Sequence, residues 1–110
     1  MPIDLRPIHE DIFAYAGDTL PIRVTVTDPD GLLVGATWEA QLRKKRTDTE
    51  PAAVFDVEVE SDTVVALTLS SEETQALAGF KGEWDCQVSY NGTKRTVAQG
   101  AISIDYDVTR

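Results

Sequence analysis

From Trp84 to Ile104 the chain reads WDCQVSYNGTKRTVAQGAISI, and the fold turns on how this stretch folds back on itself. Trp84, Cys86 and Val88 stand two apart, with Asp85 and Gln87 between them. Beyond Asn91-Gly92, the residues Ala98, Gly100, Ile102 and Ile104 follow the same spacing. Alternation with period two is the pattern of a strand with one dry face. Asn-Gly between two such runs is a strong hairpin signal. The phases then choose between turns. A two-residue Asn91-Gly92 loop sets Trp84, Cys86 and Val88 against Gln99, Val97 and Arg95. A three-residue loop over Tyr90-Asn91-Gly92, with Gly92 left-handed, sets Trp84 against Ala98 and Cys86 against Thr96. Both apolar sets then share a face. A one-residue slip turns every side chain to the other face, so the three-residue loop is expected. Gly100 marks a bulge or a close approach by another backbone.

The same period runs outward through most of the chain. Ile12-Phe13-Ala14-Tyr15 is a short strand, broken by Ala16-Gly17-Asp18. Leu20, Ile22, Val24 and Val26 alternate with Pro21, Arg23, Thr25 and Thr27, and Pro21, which lacks an N–H, belongs at that strand's start or on an edge. Asp28-Pro29-Asp30-Gly31 reads as a turn. Trp38, Ala40 and Leu42 form another inward face, and Phe55, Val57 and Val59 alternate with Asp56, Glu58 and Glu60. Ser61-Asp62 turns the chain into Val65, Leu67 and Leu69. One segment leaves the period. Ser70, followed three residues later by Glu73, is a capping box, and Gly79 is placed to end a short helix. Pro2 and Pro7 disfavour helix at the start of the chain. The expectation is an all-β chain: an antiparallel immunoglobulin-like β-sandwich of about seven strands with one short helical turn at residues 70–78. Residues 1–10 form an extended N-terminal arm and residues 11–110 a single domain. A small closed barrel is the structural alternative. The expected core comprises Leu20, Ile22, Val24, Trp38, Leu42, Phe55, Val57, Val65, Leu67, Trp84, Val88, Ile102 and Ile104.

The chain has 110 residues, 42% of them hydrophobic and 26% charged, a balance that excludes wholesale disorder. No apolar run approaches the roughly 20 residues of a membrane helix. Residues 1–10 lack the apolar core of a secretory signal, so none is expected and Asn91-Gly92-Thr93 reads as a turn rather than a glycosylation site. Against 19 Asp and Glu stand 10 Lys and Arg, a net charge of −9 that repels phosphate backbones, so no nucleic-acid partner is expected. Four of the cations fall together as Arg43-Lys44-Lys45-Arg46. That run is either a solvated strand end or a patch for an acidic partner, such as a neighbouring copy of the same chain. Cys86 is the lone cysteine and is in phase with Trp84 and Val88, the position of a small buried residue. His9, the one histidine, lies far off in the arm. No phosphate loop, dinucleotide fingerprint, zinc spacing or nucleophile elbow is present. Asp28 and Asp30 are two carboxylates where a calcium loop needs six to eight oxygens. Catalytic, metal-binding and cofactor-binding residues are therefore expected to be none, and exposed aromatics for stacking on bases or sugars are expected to be scarce.

Several segments in order carry a resemblance. They are Gly17-Asp18-Thr19 opening a strand, a strand ending Gln41-Leu42-Arg43, and Leu69-Ser70-Ser71-Glu72-Glu73-Thr74 before a short helix. Gly82-Glu83-Trp84-Asp85-Cys86-Gln87-Val88 follows, and the chain closes with residues 99–110, ending Asp107-Val108-Thr109-Arg110. Together, over residues 11–110, they resemble the immunoglobulin-like N-terminal domain of phage baseplate upper proteins and related small virion proteins. Trp38 and the basic run are not part of that pattern, and baseplate upper proteins continue into further domains. The resemblance implies a non-enzymatic structural protein of a tailed-phage virion, most naturally a minor tail or tail-tip component. It would be made in the bacterial cytoplasm and present in several symmetric copies that contact other tail, tail-tip or capsid subunits, with no nucleic acid or membrane. A head-decoration protein is the first alternative, and a host-surface or carbohydrate-binding module is an alternative of another class. The segments that alternation leaves unused are the candidate interface: Ile3, Leu5 and Ile8 in the arm, Arg43, Lys44, Lys45 and Arg46, and Tyr106 and Arg110 at the tail.

Overall fold

A computed structural model describes residues 7–26, 33, 35–45, 49–61 and 63–106. Among them the strands are β1 (Ile8–His9), β2 (Ile12–Tyr15), β3 (Leu20–Thr25), β4 (Thr37–Arg43), β5 (Ala53–Val54), β6 (Asp56–Val59), β7 (Val64–Leu69), β8 (Phe80–Tyr90) and β9 (Thr93–Asp105). One helix, α1 (Ser71–Ala76), separates β7 from β8. The chain is thus all-β apart from one helical turn. The strands make two sheets. One has the order β1-β9-β8-β4-β5, with β2 also on β9, and the other the order β3-β7-β6. All pairings are antiparallel except those of β1 and β2, which run parallel to β9. The turn expected at residues 28–31 lies outside the described residues.

Both sheets feed one core. Trp38, Leu42, Trp84, Cys86, Val88, Ile102 and Ile104 come from the larger sheet, and Val24, Val65, Leu67 and Leu69 from the smaller. Of the expected core, Leu20, Ile22 and Val57 are only half-buried, packed against its margin. Val59 departs from its alternation and is 53% exposed. The reason is that β5 and β6 are one run that changes sheets. Phe55, between them, donates its N–H to Ala40 O at 2.9 Å and is buried, and the chain then joins β7 as an edge strand whose end leaves the core.

The 84–104 hairpin corrects the expected turn. Asn91 and Gly92 have φ of 48° and 76°, and Tyr90 pairs with Thr93, so the loop has two residues with the positive φ values that such tight hairpins require. The phase conflict is absorbed inside the ladder. Gln87 pairs with Thr96 but Cys86 pairs with Ala98, leaving Val97 as the extra residue of a β-bulge. Val97 and Ala98 both face the core, and from there Trp84 lies opposite Gly100.

The capping box forms as expected. Ser70 Oγ accepts the Glu73 N–H at 3.1 Å and a Glu73 carboxylate oxygen accepts the Ser70 N–H at 2.9 Å. Thr74 of α1 is fully buried, and its hydroxyl donates to Asp18 O at 2.7 Å and accepts the Gly17 N–H at 3.1 Å. The helix therefore clamps the turn between β2 and β3.

Candidate interaction surface

The edge formed by β1 and β2 is held by an unusual junction. Between the two strands the Glu10 carbonyl leans over Gly100, where a Cβ would collide with it, and accepts the Trp84 indole N–H at 2.8 Å. Glu10 in turn donates its N–H to Gln99 O at 3.0 Å. The Asp11 carboxylate accepts the Ala101 N–H at 3.0 Å, standing in for the backbone acceptor that the interrupted strand withholds. Past the junction Ile12 and Ala14 turn toward the core, so Phe13 and Tyr15 turn outward, 79% and 51% exposed. Sequence reasoning missed both as surface aromatics, and its expectation of scarce exposed aromatics is corrected: Phe13, Tyr15 and Tyr106 are all exposed.

The expected interface residues do not gather in one place. Ile3, Leu5, Arg46 and Arg110 lie outside the described residues. Ile8, expected within the arm, pairs with Ala98 in β1 and is 41% exposed. Arg43, Lys44 and Lys45 lie at the opposite edge of the same sheet, beside β5. Arg43 is half-buried, with its guanidinium 3.3 Å from the Asp85 carboxylate, while Lys44 and Lys45 are exposed. Tyr106 lies past the end of β9, its ring close over Gly79.

The depressions in the surface carry little chemistry. An apolar seam of about 340 Å³ runs between the β1–β2 edge and β3, lined by Ile8, Ile12, Ile22, Val24 and Trp84. A polar cleft of about 470 Å³ on the outer face of the larger sheet holds Arg43, Asp85, Gln87 and Thr96, which engage one another as Arg43–Asp85 and Gln87–Thr96 pairs. Cys86 points into the core, and burial, with a further push from the Asp85 charge, raises its thiol to about 12. A thiol held protonated at neutral pH is a poor nucleophile. His9 sits one ladder position away from the Cys86 row, exposed and 3.3 Å from Asp11. Among the described residues no three His, Cys, Asp or Glu side chains group as metal ligands, and no helix is long and apolar enough to cross a membrane.

What the surface offers is two apolar edges of opposite local charge. Ile8, Phe13 and Tyr15 stand with Glu10, Asp11 and Asp105 on one side, and Val54 stands with Lys44 and Lys45 on the other. No family model matches the chain, and no curated protein is significantly similar to it.

Proposed function

We propose that the two sheets form an immunoglobulin-like sandwich, and that the chain is a non-enzymatic structural module of a tailed-phage virion. In that role it is a minor tail or tail-tip component acting through protein–protein contacts. The strand order supports the fold. An immunoglobulin-type sandwich places its second, fifth and fourth strands side by side in one sheet and its third, sixth and seventh in the other. Here β3-β7-β6 and β4-β8-β9 have those neighbours, with β1–β2 as a first strand laid along the last. The virion assignment rests on the resemblance. Its segments meet in space: Gly17 and Asp18 bond to Thr74, and Trp84 lies opposite Gly100. The observation that carries a contact role is where the large exposed apolar side chains fall. Ile8, Phe13, Tyr15, Val54 and Val59 lie on edge strands of the two sheets, and Tyr106 lies just past the end of β9. Unpaired edges with apolar side chains are surfaces that another chain covers.

Mass spectrometry of purified particles with copy counting tests the assignment. About six or fewer copies per particle is the expected result for a ring at the tail tip or neck. Hundreds would favour head decoration or the tail tube, and absence from particles would remove the virion reading. Deletion of residues 2–9 asks whether the arm is the anchor: incorporation at the normal copy number would exclude it. The exposed Phe13 and Tyr15 favour a second reading, a host-surface or carbohydrate-binding module. Saturable binding to host-surface glycans that Phe13→Ala abolishes would support that reading instead.

A further inference from the structure

We infer that copies of this chain join head to tail through the two edges of the larger sheet, β5 of one copy lying against β1–β2 of the next. The inference rests on the contact role proposed above and names the partner as a second copy. Three observations carry it.

First, among the described residues both edges are open and apolar: Phe13 and Tyr15 are 79% and 51% exposed on one, and Val54 is 52% exposed on the other. Second, their charges are complementary. Exposed Glu10, Asp11 and Asp105 flank the first edge, and exposed Lys44 and Lys45, part of the chain's concentrated basic run, flank the second. Glu50 is an acid in the same loop as those lysines, and Asp48 precedes it in the sequence.

Third, the heights match. Val54 pairs with Gln41, Gln41 with Asp85, Asp85 with Gln99 and Gln99 with His9, so Val54 and His9 lie on one rung of the sheet. Arg43 pairs with Glu83 and Glu83 with Ala101, the residue before the partner of Ile12. Lys44 and Lys45 follow Arg43 in a bend past the end of β4, at the end of the sheet where Ile12 and Phe13 lie. A copy translated across the sheet therefore brings Val54 to His9 and the lysines toward Asp11 and the Phe13 ring. An ammonium is attracted to both the carboxylate and the ring face. The directions also agree. Counting across β9, β8, β4 and β5, each strand reverses, so β5 runs antiparallel to the β1–β2 of the next copy and the sheet continues in its own pattern. Such a contact is heterologous, and repeated it closes into a ring or extends as a filament.

Sedimentation velocity of the full chain, at about 0.15 M salt and up to about 1 mM protein, the weak end of specific association, reads the contact. Wild type is expected to form species beyond the dimer. One variant carries Phe13→Glu and Tyr15→Glu, the other Lys44→Glu and Val54→Glu. All four positions are exposed, and circular dichroism and melting check that both variants stay folded. Each alone is expected to be monomeric. An equimolar mixture, in which one intact edge of each kind remains, is expected to give a 1:1 dimer and nothing larger. A monomeric wild type overturns the inference, as does a mixture that stays monomeric. So does either variant that still associates like wild type, since that is the behaviour of a two-fold contact using a single edge. Virion content is a separate measurement. A protein present in particles but monomeric in solution loses this contact and keeps the proposed role. A protein that associates as described but is absent from particles does the reverse.

Discussion

Trp84 fills core space and also ties down the edge strand, and two substitutions separate those roles. The indole is 3% exposed and meets Phe55 edge to face at 6.4 Å. Trp84→Ala empties that space and should cost about 3–5 kcal/mol in urea unfolding. Trp84→Phe keeps most of the packing but leaves the Glu10 carbonyl without its donor, a loss of about 1–3 kcal/mol. It should also speed amide exchange at Glu10, whose N–H depends on the same junction. Equal exchange in wild type and Trp84→Phe would show that the indole bond does not hold β1. Cys86 supports a second prediction. Its thiol is raised to about 12 in the folded chain, chiefly by burial, whereas an unfolded thiol ionises near about 8.5. Between those values the unfolded state has lost a proton that the native state keeps. The contribution is therefore complete below about 8.5 and is lost as the pH rises toward 12. Iodoacetamide at mildly alkaline pH should label the urea-unfolded chain rapidly and the native chain only as fast as it opens. Rapid native labelling would mean that β8 opens locally.

At the scale of elements, the 84–104 hairpin shows how far the pattern could be read. Alternation located both strands, and Asn91-Gly92 located the turn. The conflict of phases showed that one residue had to be absorbed. It did not show where, because a longer loop and a bulge both restore a common apolar face, and only the ladder distinguishes them. The bulge at Val97 yields an unusual expectation. Deleting Val97 leaves Gln87 opposite Thr96 and Cys86 opposite Ala98, so the register on both sides survives. The cost should be that of one buried valine, about 1.5–3 kcal/mol, in a chain that still folds cooperatively. Deleting Ala101 instead puts Ile102 and Ile104 out of phase or, if the bulge closes to absorb the loss, turns Gln99 into the core opposite Trp84 and moves Gly100 from beneath the Glu10 carbonyl, and should abolish the fold. Thermal melts of the two deletions check this, and equal damage would mean that Val97 is not the extra residue. The capping box was legible for the opposite reason: its partners are three residues apart, so no long-range choice intervenes. The clamp from Thr74 to Gly17 and Asp18 joins residues 56 and 57 positions apart, and no local pattern announces it.

At the scale of the whole molecule, the candidate surface was legible only in part. Segments unused by alternation led to Ile8, Lys44 and Lys45. They did not lead to Phe13 and Tyr15, because both faces of Ile12-Phe13-Ala14-Tyr15 are apolar, and Ile102 and Ile104, paired with Ile12 and Ala14, decide which face turns in. The net charge of −9 then sets a test of how those edges behave. Two approaching copies repel as wholes, while the lysines of one and Asp11 of the other attract at short range. Salt separates the two effects by distance. At about 0.01 M the screening length is about 30 Å and the whole-molecule repulsion is felt; at about 0.1 M it is about 10 Å, and charges farther apart no longer interact. Self-association should therefore strengthen over that range, opposite to a contact made of ion pairs alone. At about 1 M the length falls to about 3 Å, the lysine pairs are screened as well, and the gain should reverse, leaving the apolar contacts that Val54 and the Phe13 ring each make across the joint. Lys44→Gln changes the net charge by a single unit, so it should keep the rise at low salt and flatten the fall at high salt. Sedimentation across the series reads both limbs. A steady decline from the lowest salt upward would show that local pairs outweigh the repulsion of the two acidic molecules. A steady rise to the highest salt would show that Lys44 and Lys45 contribute nothing to the joint.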